Sequence, residues 1–591
     1  MDRALDLIER HWKWVVIAVW IAFCISFVVQ RWGVIQSFGL PDTDDNMRMA
    51  QVRALIDGQG WFDLRQYRLN PPTGANIHWS RIVDLPIAGI ILALRPLVGG
   101  VDAERTAIAI APMLPLLPLL FAISLTVRRL VDPRAYPLAF AALFFAGSAN
   151  GMFMPARIDH HGWQLALAAM SVAGLVDEKR ARGGIVVGLS TAISLSIGLE
   201  MLIYLAIAGA AIALLWVFDA GERRRVAGYA ASLGGGTALG FLLFASYANR
   251  GPVCDALSPV WLSDALLGSA LLFGLSILSP TDWKRRLALA VGAGVIIAAF
   301  HALMWPHCLS RLEGVSPEVE RLWLSHVREA RPLYRHGARL AAMVAVLPLT
   351  GVVGWILLAI VKRRDPALLR SVIAAAASCI VATLLLLWQT RTGPAAQVLA
   401  VPGAAALTWI AIPWAFNSRN AIVRTLGTSA ILIVGFGAAG PLSTAFSPPS
   451  KASPREMQVN RANRQCNSLW GMRFIAREPK GLVFTFVDLG PRLIAVTHHD
   501  AITGPYHRNG EQIGDVMKAF RGDEAQARSI IAGKYRSDYL LICPNMSTST
   551  IFRSETPRGF YSKLEGGWTP AWLEPLPLAK DSPFRMWRVR R

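Results

Sequence analysis

Charge is what this sequence has least of. Only 17% of its 591 residues are Asp, Glu, Lys or Arg, against 53% hydrophobic. A soluble chain of this length would not be so apolar. Acids are scarcer than bases, 39 against 60, which leaves a formal charge of +21. That excess does not read as a nucleic-acid surface, because Arg and Lys collect in short loops between hydrophobic runs, as in cytoplasmic loops of membrane proteins. Cysteine is also rare, and six residues make no disulfide framework. Cys24 and Cys379 lie inside apolar runs. Cys254 and Cys308 fall in two loops, and Cys466 and Cys543 in a polar tail, where pairs can form if those regions face an oxidising compartment. There is no Walker loop, no CxxC pair, no GxSxG, no internal repeat and no low-complexity tract. No small-residue cleavage site follows the first apolar run, so an uncleaved first helix is expected there rather than a signal peptide.

What is present is a series of apolar runs suited to crossing a bilayer. They fall at 14–29, 106–127, 136–154, 162–176, 183–199, 200–218, 226–247, 261–279, 287–305, 338–361, 367–389, 396–416 and 424–445. They predict a polytopic α-helical membrane protein with about thirteen transmembrane helices. A shorter run, 85–98, carries Arg95 and two prolines. The basic loops RRLVDPR, DEKRAR, ERRR, DWKRR, KRRD and NSRNAIVR all fall on one side only if 85–98 does not cross. The expected topology therefore puts the N-terminus in the cytoplasm and the C-terminus outside. The outer face then holds loop 30–105, the loop near 155–161, loop 306–337 and the tail. The membrane part is residues 1–446, and SPPSKASP (447–454) reads as a linker. Residues 455–591 read as a soluble periplasmic α/β domain. GLVFTFVDLG, RLIAVTHH and DYLLICP are its expected strands, and MKAFRGDEAQARSIIAGKY its amphipathic helix.

The chemistry collects on the predicted outer face. PDTDDNMR places Asp42, Asp44 and Asp45 at the start of the first outer loop. Such a cluster can cap a helix N-terminus, bind a divalent cation or supply a base. The following MRMAQVRALIDGQGWFDL reads as an amphipathic helix at the membrane surface, anchored by Trp61 and Phe62. RIDHHGWQ brings Arg157, Asp159, His160 and His161 together, and Asp and His two residues apart can face one cation. Two ionisable clusters at one lipid boundary favour function over polar helix ends. Glu329 in WLSHVREARPL stands alone on a loop helix. Arg391 in WQTRTGPAAQ can snorkel or grip a phosphate. Tyr506, His507 and Arg508 in GPYHRN can bind a polar ligand or cap a strand. HHD at 498–500 lacks metal spacing and reads as surface.

These residues resemble the GT-C membrane glycosyltransferases, above all the catalytic subunits of oligosaccharyltransferases. Protein mannosyltransferases and lipid A aminoarabinose transferases resemble the chain more distantly. The likeness runs through most of the chain in order. The oligosaccharyltransferase spacing of an Asp six residues before an Arg links Asp42 to Arg48, and WFD with YRLNPPTG resembles the same loop. The Asp-Glu pair of the other two groups falls nearer Asp44 and Asp45, so the base is one of the three. The family's Asp-Asn-Glu-Gly becomes Asp159, His160, His161, Gly162. The resemblance implies a loop Glu at Glu329 and a lipid-phosphate Arg at Arg391. FVDLG (Asp488, Gly490) stands where the family's acceptor motif lies but lacks its tryptophans and tyrosine, so an Asn-containing peptide is not the implied acceptor.

The resemblance implies an inverting glycosyltransferase of a bacterial inner membrane. It would move a sugar or oligosaccharide from a polyprenyl-phosphate-type donor to a glycan, lipid or protein acceptor on the periplasmic face. Asp42, Asp44 and Asp45 would be catalytic. Arg391, Arg48 and Arg157 would bind donor phosphate, and Asp42, Asp159 and His161 would hold a divalent metal such as Mg or Mn. Glu329, Tyr506, His507 and Arg508 would serve the acceptor or its loop. The rival is a transporter or flippase of lipid-linked saccharides with an outer sensor domain. It predicts ionisable groups near the bilayer midplane, whereas here the helix interiors are nearly free of charge.

Overall fold

The computed structural model describes residues 2–310, 314–446 and 453–590. Most of the predicted linker, residues 447–452, lies outside them. Among the described residues, eight helices of 20 to 31 residues are long and apolar enough to cross a membrane. The last expected span is a ninth only as a bent pair, Val423–Gly435 and Ala439–Ala445, turned by 101°. The turn falls at Gly437, whose φ of 70° is open to glycine at little cost. The count of about thirteen is thus not reproduced by length and composition. The remaining four runs are helices, Tyr136–Phe144, His161–Leu175, Arg180–Ile197 and Leu202–Phe218. They are short or only mildly apolar, and bury much of their surface against neighbours. Ala338–Lys362 lies against Gly393–Phe416, where Gly351, Gly354 and Gly403 face the partner helix so closely that a Cβ on any of them would collide. Small residues at such contacts let helix backbones approach without a hydrophobic driving force.

Three of the basic turns, at 128–134, 177–182 and 219–225, are tied together by ion pairs at one end of the bundle. Asp177 accepts from Arg129 and Arg182, Arg180 reaches Asp219 and Glu222, and Arg225 pairs with Glu222. The opposite end carries loop 30–105 and the C-terminal domain. That domain is built on a five-stranded mixed sheet. After a small hairpin within loop 30–105, β1 (Arg65–Gln66) and β2 (Ala75–Asn76), come β3 (Leu482–Phe484), β4 (Asp500–Ala501), β5 (Tyr539–Ile542), β6 (Leu573–Pro575) and β7 (Arg585–Val589). The sheet order is β4-β3-β5-β7-β6, parallel on its first side and antiparallel on the other. Two disulfides form, Cys254–Cys308 between the two loops and Cys466–Cys543 within the domain, while Cys24 and Cys379 stay free.

Three tail and loop expectations change. RLIAVTHH is not a strand; Gly490–Val496 is a helix with Pro491 in its first turn, where its missing N–H costs nothing. A short apolar run cannot by period alone be told from a buried helix. The expected amphipathic helix of the domain is broken at Gly522, because Asp523 caps a new helix by accepting from Gln526 N at 2.8 Å. The first-loop helix is Thr43–Ile56, and residues 45–52 are buried in an unbroken stretch rather than on one stripe. It does not lie open on a bilayer surface, because the C-terminal domain covers it. Met47, Leu69, Ile77 and Trp79 share one apolar core with Phe486, Leu493 and Ile542. Arg68 O and Asn70 N pair with the two backbone groups of Ala501, adding the loop to the open edge of β4. Loop and domain are therefore one folded body.

Candidate active site

The three acids open the helix Thr43–Ile56. Asp42 is its N-cap in extended conformation, and accepts from Thr43 N at 2.7 Å. Asp45 reaches back to Asp42 N at 3.2 Å, completing a capping box. The helix-capping role and a chemical role are thus not alternatives. The cap leaves acceptor capacity on both carboxylates, and the 155–161 loop meets it. Arg157 Nη1 donates to Asp42 at 2.7 Å and to Asp45 at 3.2 Å, and its Nη2 to Asp159 at 2.5 Å. Asp159 N donates to Asp45 Oδ1 at 3.2 Å, so the two loops are joined by backbone as well as charge. Asp159 Oδ1 accepts from His161 N at 3.0 Å and lies 3.2 Å from His161 Nδ1.

Asp44 is the odd member. Among the described residues no hydrogen bond or ion pair is formed by its carboxylate. Burial, together with the nearby Asp42 and Asp159, pushes it up to about 7. Burial also pushes Asp45 well up, against the pull of Arg157. For Asp42 the burial effect is outweighed by Arg157, and its carboxyl is held below the usual range. For Asp159 burial is outweighed by His161 and Arg157, which hold it well down. The site therefore combines anionic carboxylates with one unpaired acid poised near neutrality.

A second buried network stands behind the first. Arg48, 1% exposed, donates to Asp84 at 2.9 Å and lies 4.4 Å over the Trp79 ring. Its other nitrogen faces His160 Nδ1 at 3.4 Å, and His160 Nε2 meets Glu200 at 2.9 Å. Those partners assign the tautomer: Nδ1 accepts from the guanidinium and Nε2–H donates to the carboxylate. Gln164 fixes the other Glu200 oxygen at 2.6 Å. Arg48 therefore does not pair with Asp42, six residues before it, but supports the loop from behind. His160 was one of the RIDHHGWQ residues singled out by sequence, whereas Asp84 and Glu200 were not. Glu200 had a signal, as a lone acid at the junction of two apolar runs, where ionisable groups usually mark function.

The tail supplies a roof. Tyr506 OH donates to Thr43 O at 3.0 Å, and Arg492 reaches Phe38 O and Asn46. Asp488 accepts from Thr548 at 2.7 Å; burial and the nearby Asp42 raise it. His507 and Arg508 turn away from the acids and bind Asp255. Glu329 and Arg391 sit on adjacent 3-10 turns joined by Thr390 N to Arg331 O at 2.8 Å. Both are exposed, and among the described residues neither forms a hydrogen bond or ion pair with the acid cluster. HHD is half surface at most, since His499 is fully buried and its Nε2 meets Ile475 O at 3.0 Å.

No family model and no curated protein matches the sequence. Solved structures do resemble the whole chain. The archaeal oligosaccharyltransferase AglB from Archaeoglobus fulgidus, in complex with an inhibitory peptide and a dolichol-phosphate, aligns with a TM-score of 0.68 at 14% identity, over 96% of this chain and 73% of that one. The A. fulgidus oligosaccharyltransferase tethered to an acceptor peptide with an NVT sequon gives 0.66 at 14% identity, over 97% and 74%. The same enzyme in complex with Zn and sulfate gives 0.59 at 15% identity, over 91% and 70%. At such identities the likeness is one of fold. The chain has the GT-C fold that the order of its motifs implies.

Asp42, Asp159 and His161 are oxygen and imidazole donors of a kind that a divalent cation can take, but among the described residues their ligand atoms are not gathered around one point, and Arg157 occupies the Asp42 and Asp159 oxygens.

Proposed function

We propose that this chain is a glycosyltransferase that moves a sugar or oligosaccharide, with inversion, from a polyprenyl-phosphate-type lipid to an envelope acceptor on the periplasmic face of a bacterial inner membrane. The observation that carries the reading is Asp44. An unpaired carboxylate near neutrality, among fixed charges on a GT-C frame, suits a general base. The two cystine bridges fit an oxidising compartment. The lipid carrier of the A. fulgidus complex, a dolichol-phosphate, is the reason for the donor class.

Asp44 takes the proton of the acceptor as its oxygen or nitrogen attacks the anomeric carbon, and the lipid phosphate departs on the opposite face. Asp42 and Asp45 hold Arg157 beside that path, and the guanidinium offsets the charge that develops on the phosphate. Arg391, with Glu329 on the neighbouring turn, meets the lipid-linked end of the donor. Arg48 acts as a positioning residue through His160. Tyr506 closes the site over Thr43. A divalent ion such as Mg or Mn would add positive charge at the leaving group, and Asp42, Asp159 and His161 would hold it only where Arg157 gives up its carboxylate oxygens. Asp44→Asn and Asp42→Asn are each expected to abolish transfer in a complemented deletion strain at unchanged expression. Full activity in both variants would overturn the assignment.

A further inference from the structure

A second set of potential metal ligands lies outside the acid cluster and is given no part in the chemistry above. His78 comes from loop 30–105, Asp255 from the loop between the helices Arg223–Phe244 and Pro259–Leu278, and His507 from the C-terminal domain. One ligand atom from each lies within 4.8 Å of the other two. His507 Nε2 meets Asp255 Oδ2 at 2.5 Å, and the His78 and His507 rings stand 4.6 Å apart. His78 Nδ1 is shut off from solvent with no hydrogen-bond partner. A buried imidazole nitrogen without a partner is costly to keep. The His78 ring that carries it stands beside two other potential ligands.

The surroundings have the character of a supporting shell. Arg508 donates to both Asp255 oxygens, at 2.7 and 2.6 Å, and to Asn249 at 2.7 Å. Asn249 in turn donates to His78 O at 3.1 Å, so one amide holds both the histidine backbone and the arginine. Cys254, next to Asp255, is tied to Cys308, which fixes the loop that carries the carboxylate. A carboxylate offers about four lone-pair sites. Arg508 and His507 use three, so one oxygen position stays open even with the arginine in place. Outer partners of this kind orient ligands and tune affinity.

We propose that His78, Asp255 and His507 bind a divalent transition metal of the zinc class, which fastens the C-terminal domain to two loops of the membrane part. Two imidazoles and a carboxylate suit zinc rather than magnesium or calcium, which prefer all-oxygen shells. The metal takes the place of the proton on His507 Nε2 and leaves the ring's remaining proton on Nδ1. The site joins three chain segments, so its binding energy adds to domain docking.

The test uses the full chain in detergent, stripped with chelator and then given Zn²⁺ alone. An Asp159→Asn/His161→Ala background removes the ligands of the other candidate centre. That parent should retain one zinc per chain after desalting and unfold at a higher temperature with zinc than without. Adding His78→Gln should remove the bound zinc and the zinc-dependent shift. Zinc K-edge absorption on the parent alone should show nitrogen and oxygen ligands with imidazole scattering, which holds even if the triple variant folds poorly. A parent that retains no zinc, a stoichiometry unchanged by His78→Gln in a folded variant, or a spectrum without imidazole would overturn the proposal.

Discussion

Asp44 differs from its neighbours in what it lacks. Asp42, Asp45 and Asp159 each hold part of Arg157, whereas among the described residues Asp44 forms no ion pair and feels Arg157 and His161 only at longer range. The proposed base is active when deprotonated, so transfer should rise tenfold per pH unit below about 7 and level off above it. A pH profile flat from 5 to 8 would count against Asp44. The same shift predicts a stability cost. Between its ordinary value of 3.8 and about 7 the folded chain keeps a proton that the unfolded chain has lost. Stability therefore falls as pH rises through that window. Asp44→Asn removes the term, so the variant's melting temperature should exceed that of the wild type at pH 8, with the gap closing towards pH 4. An equal gap at both pH values would contradict this. Sequence could find the acids, Arg157 and Asp159, because crowded charge beside apolar runs is visible in one dimension. It could not choose among the three acids, since the choice depends on which carboxylates a distant arginine reaches.

At the scale of elements, the coupling of loop 30–105 to the tail stands out. Arg68 donates to Ile494 O, Thr497 O and His499 O, the carbonyls at the end of the helix Gly490–Val496, and pairs with Asp500 at 3.2 Å. It caps that helix from another part of the chain, where cations complement the dipole. Arg68→Ala is expected to weaken this docking by about 1–3 kcal/mol, seen as a lower melting temperature and faster proteolysis between membrane part and tail. Unchanged values for both would show that the apolar core alone holds the two together. The long apolar helices were legible from run length, and β3 and β5 from their β-branched and aromatic residues. The helix Gly490–Val496 and the burial of Thr43–Ile56 were not, because each is set by a partner hundreds of residues away. Arg492 of the first reaches Asn46 of the second.

For the whole molecule, the ion-paired basic turns lie at one end of the bundle and the acid cluster, its supporting network and the C-terminal domain at the other. If the charge rule orients the chain, an alkaline-phosphatase fusion at the C-terminus is active and a fusion at the residue 177–182 turn is inactive; the reverse pattern would invert the proposed topology. The central claim concerns what the site acts on, and it is tested most directly by mass spectrometry of lipid-linked sugars in a deletion strain complemented with wild-type chain or with Asp44→Asn. The account predicts that a polyprenyl-linked sugar accumulates in the deletion strain, persists with Asp44→Asn and disappears with the wild type. A lipid-linked sugar profile that is the same in all three strains would contradict it.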